Sequence, residues 1–264
     1  MVRTLFSEYK KAVYEKGILL TAAGICLIHL INLIDEMNLH PTHESGSVLY
    51  FWVNRHGLGA FSIMVFLFCG ISYGIQFCLE RNTGSWKYYL IRENPISYGL
   101  SKIIVTTTTS LFSAMAGYVF LFLFLSCKYA MFPDDEMYLE QMVMWLPFSQ
   151  LAMEKNCLFF FLNIMPEVLM FMFLSMVSLL TSMFSHSKYV AIAAPLIIYY
   201  GWNYLTGTLQ LPEIFQWPLK IKTGFQFWES SVQNLLFTIA YYLTGIIIIG
   251  FLFIKKLKGE MEYA

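Results

Sequence analysis

Charge is scarce in this chain. Asp, Glu, Lys and Arg make up 13% of its 264 residues, about half the roughly 25% of an average soluble domain, and its mean hydropathy is +0.59. That balance excludes an ordinary water-soluble globule. Basic and acidic residues number 17 each, and no basic tract with interleaved aromatics offers nucleic acid a binding stripe. There is no G-x-x-x-x-G-K-[ST] loop to cradle phosphates, so the chain by itself has no usual means of holding ATP. The five cysteines show no metal-finger spacing. Cys26, Cys69 and Cys78 lie in or beside apolar runs, where a thiol acts as a small hydrophobe. Cys127 and Cys157 border one long polar loop, and either a disulfide or two free thiols fits there. The strand alternation of a β-barrel is missing. No cleavable signal, internal repeat or low-complexity linker is evident, so residues 1–264 read as a single membrane domain.

What the chain has is apolar runs long enough to cross a hydrocarbon core of about 30 Å as helices. The reading is an all-α polytopic protein with six transmembrane spans, near Gly17 to Ile34, Leu58 to Leu79, Ile103 to Ser126, Glu167 to Phe184, Tyr189 to Leu205 and Val232 to Ile254. The fourth is drawn from Pro166-Glu167, which has the form of a helix start, with Pro at the first position and an acid beside the positive end of the dipole. On this reading Glu167 is a first-turn acid near the interface. If the span instead begins near Cys157, Glu167 lies at membrane depth and is a functional candidate. Of the 17 Lys and Arg, all but Arg55, Lys128, Lys155, Lys220 and Lys222 fall on the segments that share a side with the termini. That side is expected to be cytoplasmic, within a plasma membrane.

Val2, Leu5, Phe6, Tyr9 and Val13 recur at helical spacing, with Arg3, Glu8, Lys10, Lys11 and Glu15 on the remaining surface. This suits residues 1–16 as an interfacial helix, and a cytoplasmic extension of the first span is the plain alternative. On the outer side, MYLEQMVMWLPF suggests a surface helix. Residues 206–231 carry Phe215, Trp217, Phe225, Phe227 and Trp228, which fit a segment dipping into the interface or a simple aromatic belt. His40, His43 and Glu44, with His56 nearby, lack the spacing of a metal site and read as a solvated loop. ESGS (44–47) is not G-x-S-x-G, and no converging carboxylate or His pair marks an intramembrane enzyme. Candidates for a substrate path are the polar or amphipathic side chains His29, Asn32, Glu167, Asn203, Trp217 and Trp228, although side chains such as His29 and Asn32 are more often interhelical hydrogen-bond partners.

One charged island breaks the apolar pattern, CLERNTGSWKYYLIRENPISYGLSK at 78–102. Thr83-Gly84 makes a break after the second span. Trp86, Tyr89 and Leu90 then fall at i, i+3 and i+4 on a short helix, and Asn94-Pro95 ends it because the residue before Pro avoids the α region. The result is a short amphipathic helix between two spans, shaped either for a soluble partner's groove or for rest among headgroups.

With the N-terminal helix, six spans, both ends on one side and an aromatic outer segment, this stretch resembles the membrane subunit of a type-2 ATP-binding-cassette (ABC) exporter. Similar permeases read as F-x-x-E, a turn, and a coupling helix leading to a Lys-containing start of the third span. The resemblance covers essentially the whole chain and rests on architecture. It implies that Glu80 is the acid closing the second span. Trp86 to Arg92, with Arg81, Lys87, Tyr89, Leu90 and Arg92, would couple to the ATPase, and Lys102 would open the third span. It further implies an N-terminal elbow helix, an outer re-entrant segment at 206–231, a second permease subunit, and cytoplasmic ABC ATPase subunits that hold the ATP and Mg. No cofactor and no catalysis are expected in this chain. The implied cargo is an amphipathic or hydrophobic peptide, drug or lipid, with antimicrobial-peptide export preferred. The outer segments 35–57 and 127–156 are longer than the minimal family loops. The rival readings are a membrane-embedded enzyme acting on lipids or peptides and a non-transporting sensory or assembly subunit.

Overall fold

A computed structural model describes residues 2–40, 46–56, 64–92, 94–144, 146–216, 228 and 230–262. Among them the chain is helical, and the one strand-like feature is an isolated bridge between Ser47 and Ala130. In order come α1 (Val2–Tyr14), α2 (Gly17–Leu39), α3 (Val48–Val53), α4 (Met64–Gly74), α5 (Gln76–Thr83) and α6 (Ser85–Arg92). Then follow α7 (Pro95–Ser126), α8 (Glu136–Val143), α9 (Ser149–Met153), α10 (Leu158–Thr181), α11 (Lys188–Thr208), a 3-10 turn (Glu213–Gln216) and α12 (Ser231–Glu262).

Four of these, α2, α7, α10 and α12, are long and apolar enough to cross a membrane, and α4 with α5 forms a fifth candidate bent by 52°. The bend follows a π-turn at Gly70–Gly74. There a Cβ on Gly74 would lie 2.8 Å from the Ser178 Cβ and 3.0 Å from the Ser175 carbonyl oxygen, so glycine lets α4 press against α10. α11 has the length, 21 residues, but its Tyr189, Tyr199, Tyr200, Trp202, Asn203 and Tyr204 make it less apolar. Large apolar side chains such as Leu27 on α2, Phe112 on α7 and Phe251 on α12 are more than half exposed. A monomer in water would not display so many, whereas lipid accommodates them.

The helix boundaries correct the sequence reading at two places. Asn94 caps α7, its side chain accepting from the Ile96 N–H at 2.9 Å, with Pro95 in the first turn. The signal that stops α6 therefore also starts α7, two turns earlier than the expected Ile103. Pro166 does not start α10 but lies inside it, since the helix begins at Leu158. Pro is tolerated inside an apolar helix when its neighbours satisfy the freed backbone groups.

α7 is the central post, packed on α2, α10, α1 and α12. Its inward face is small and hydroxylated, with Ser101, Thr106, Thr109, Ser110, Ser113 and Gly117 buried. The Thr109 hydroxyl donates to the Val105 carbonyl at 2.7 Å and Ser113 to Ser110 at 3.1 Å. These two hydroxyls are satisfied within the helix, and the small volume of the face brings neighbours close. Gly84, at φ 71°, closes α5 in the left-handed region that favours glycine and lets α6 turn away.

Candidate functional site

The structure gathers the scarce charge into two buried knots at opposite ends of α7. The first lies beside α6. Lys102, two turns into α7 and fully buried, donates to Glu80 at 2.7 Å and also pairs with Glu8. Lys11 bridges the same two carboxylates, 2.6 Å from Glu8 and 2.9 Å from Glu80. The Tyr73 hydroxyl donates to Glu8 and that of Tyr98 to Glu80. Two acids and two bases thus neutralise one another, with tyrosines taking up further lone pairs, which is the condition for keeping ions out of water. Tyr9 adds a hydroxyl contact to Thr108 at 2.7 Å.

Helical spacing sets Glu8 and Lys11 off the apolar stripe of α1, on its remaining surface. Glu8 is buried there with Thr4 and Ala12, while Phe6 and Val13 face outward. Burial by itself would push the Glu8 carboxyl up, but Lys102 and Lys11 outweigh it and hold the group below its ordinary value. Glu80 and Glu8 likewise raise the Lys11 ammonium despite its partial burial. The Glu8 contribution to stability is complete above its unfolded value of about 4.5 and is lost as pH falls through the lower folded value. Melting of the purified protein should weaken below that pH, and Glu8→Gln should flatten this part of the profile.

α6 is fastened to this knot by its aromatic rings. Tyr89 stacks on Tyr98 with centroids 5.9 Å apart and an interplanar angle of 10°. Lys11 sits 4.1 Å from the Tyr89 ring centroid, a cation over a ring face. Trp86 is buried against Phe77 of α5, at 6.3 Å between rings. Trp86 thereby packs within its own membrane body. The outward face carries Lys87 and Tyr88, the latter 70% exposed. α6 includes the backbone of Leu90 and Arg92, whose side chains lie outside the described residues. Arg81 binds the Met183 carbonyl and Glu260 at 3.2 Å, tying α5 to the ends of α10 and α12. Asn82 donates to the His186 carbonyl at 2.8 Å.

The second knot surrounds Glu167. Nine residues beyond the start of α10, about 14 Å along the axis, Glu167 is buried and paired with Arg55. His56 lies 2.8 Å from the same carboxyl oxygen, and the Tyr118 hydroxyl donates to the other. Arg55 also donates to Asn163 at 2.9 Å and to the Trp52 carbonyl at 2.7 Å. His29 Nδ1 donates to the Arg55 carbonyl at 3.1 Å. The preferred reading of Glu167 as an interfacial first-turn acid is thereby overturned, as is that of His56 as part of a solvated loop. His43 and Glu44 lie outside the described residues.

No family model, curated protein or solved structure matches the chain.

Of the suggested substrate-path residues, His29 and Glu167 come together in this second knot. Asn32 has a buried side-chain amide without a hydrogen-bond partner among the described residues. Asn203 lies on α11, and Trp228 precedes α12, its backbone N–H donating to the Asn234 Oδ1 at 3.0 Å. Trp217 and the core of the expected re-entrant segment, 217–227, lie outside the described residues. Cys127 and Cys157 are free, exposed thiols. Sequence reasoning named Glu80 and Lys102 but not Tyr73 or Tyr98. The available clue was the small pair Thr4 and Ala12 flanking Glu8 at four-residue steps, which lets that face of α1 approach another helix closely.

Proposed function

We propose that this chain is the permease subunit of a type-2 ABC exporter, moving an amphipathic or hydrophobic substrate across the plasma membrane with energy from a separate ATPase. The observation that carries the reading is the mounting of α6. A short helix with Lys87 and Tyr88 outward is pinned through Tyr89 to a charged knot that joins α1, α5 and α7, and through Trp86 to Phe77 of α5. A push on it would be passed to rigid spans rather than absorbed by a loop. The bent α4–α5 pair and α11, which packs along α10, would complete six crossings, with both termini cytoplasmic as the Lys and Arg distribution favours. A second permease subunit would close the path, and ATP and Mg would be held by the cassette partner.

Tyr88→Asp puts a charge on the exposed face while sparing the buried anchors. In liposomes containing the chain and its cassette ATPase, it should lower substrate-stimulated ATP hydrolysis about thirtyfold, the loss expected when an interface anchor worth about 2 kcal/mol is removed. Tyr88→Phe should retain it. Equal hydrolysis in both variants would remove α6 as the point of contact.

A further inference from the structure

Where α11 begins and α12 ends, four lysines stand exposed: Lys188 at the first position of α11, and Lys255, Lys256 and Lys258 near the end of α12. None of the four makes an ion pair among the described residues. The link 182–187 and α11 contain no acid, and Glu260 of α12 is already taken up by Arg81 at 3.2 Å. The two stretches meet in space, since Lys256 Nζ lies 5.6 Å from the ring centroid of Phe184 in that link. Arg81 fixes the arrangement by binding the Met183 carbonyl as well as Glu260. Beside the lysines are uncovered apolar side chains, with Phe184 66% and Tyr189 71% exposed. Rings of this kind with ammonium groups among them suit the boundary where hydrocarbon gives way to water. The α12 dipole favours lysine at its C-terminal end. It does not account for Lys188, which opposes the dipole at the start of α11, or for the uncovered rings.

We propose that this edge is a docking site for an anionic phospholipid, its headgroup phosphate met by Lys188 and Lys256 and its acyl chains lying against Phe184 and Tyr189. Unneutralised lysines at the end of apolar helices attract net negative headgroups, whereas a zwitterionic headgroup brings its own cation and offers no net charge. The surface belongs to this chain alone, so its test is independent of whether an ATPase docks on α6.

The probes are phosphatidylglycerol and phosphatidylcholine with identical acyl chains, titrated into the full chain in an uncharged detergent and followed by native mass spectrometry. The first phosphatidylglycerol adduct should saturate at a lower lipid concentration than the first phosphatidylcholine adduct. Lys188→Gln and Lys256→Gln should each raise its half-saturation about fivefold, the scale of one lysine at a membrane surface, and the double variant about twenty-five-fold. Lys128→Gln serves as the control, because Lys128 is also exposed and also stands beside a ring, 5.2 Å from the Tyr129 centroid, but on a different part of the chain; it should leave half-saturation unchanged. Without added lipid all three single variants should melt with the wild type, since exposed substitutions of this kind disturb no packing. Phosphatidylglycerol should then raise the melting temperature of the wild type and of Lys128→Gln, and raise that of the double variant less. Equal half-saturation for the two lipids, an undiminished adduct in the double variant, or a loss in Lys128→Gln as large as in Lys256→Gln would reduce the edge to nonspecific headgroup contact and overturn the proposal.

Discussion

Lys102→Met should be the most damaging single substitution in the molecule. It removes the fully buried cation shared by Glu8 and Glu80, leaving two buried carboxylates to Lys11, which is 23% exposed. Deleting one partner of a buried ionic cluster costs about 3–5 kcal/mol, because the remaining charge stays dehydrated and unpaired. Purified in mild detergent, the variant should lose most of its heat-resistant, monodisperse fraction. Adding Glu8→Gln leaves one carboxylate and one ammonium, Glu80 and Lys11, still 2.9 Å apart. The double variant should be more stable than the sum of the two single changes by about 1–3 kcal/mol, the coupling expected of groups in one network. Strict additivity would mean that the four charges do not act as a unit.

Glu167→Gln should come close behind, again by about 3–5 kcal/mol, since it strands Arg55 among Trp52 and Tyr118 with its neutralising partner gone. The informative comparison is the charge-free double variant Arg55→Met with Glu167→Met. Replacing a whole buried pair by apolar groups of similar volume is often neutral, so this protein should melt within a few degrees of the wild type. Transport measured on the refolded double variant then assigns the knot. Retained transport makes Arg55 and Glu167 a structural clasp holding α3 to α10, and lost transport at full stability places them on the working path.

The outcome at Glu167 shows where sequence ends and packing begins. Pro166-Glu167 carries every local sign of a helix start, yet α10 runs through it because Arg55, His56 and Tyr118 receive the acid from other elements. Those partners are 112, 111 and 49 residues away in sequence, and no periodicity reports them. On α1, helical spacing reveals the apolar stripe but not the partners of the opposite face, where Glu8 turns in to Lys102 while Phe6 and Val13 face outward. Legible features were those whose cause is local. Gly84 breaks the chain after α5, Asn94-Pro95 separates α6 from α7, and the apolar runs became long helices. The double duty of Asn94 as stop and cap was missed, and with it the two extra turns that carry Lys102 into the interior.

The central claim is that α6 is a handle gripped by a cytoplasmic ATPase. The most direct measurement places a photo-crosslinking amino acid at position 88 of the full chain in its native membrane, followed by mass spectrometry of the adducts. A dominant adduct to a cassette ATPase subunit, weakened when ATP hydrolysis is blocked in one conformational state, is the expected result. Adducts confined to lipid or to the chain itself would contradict the exporter account.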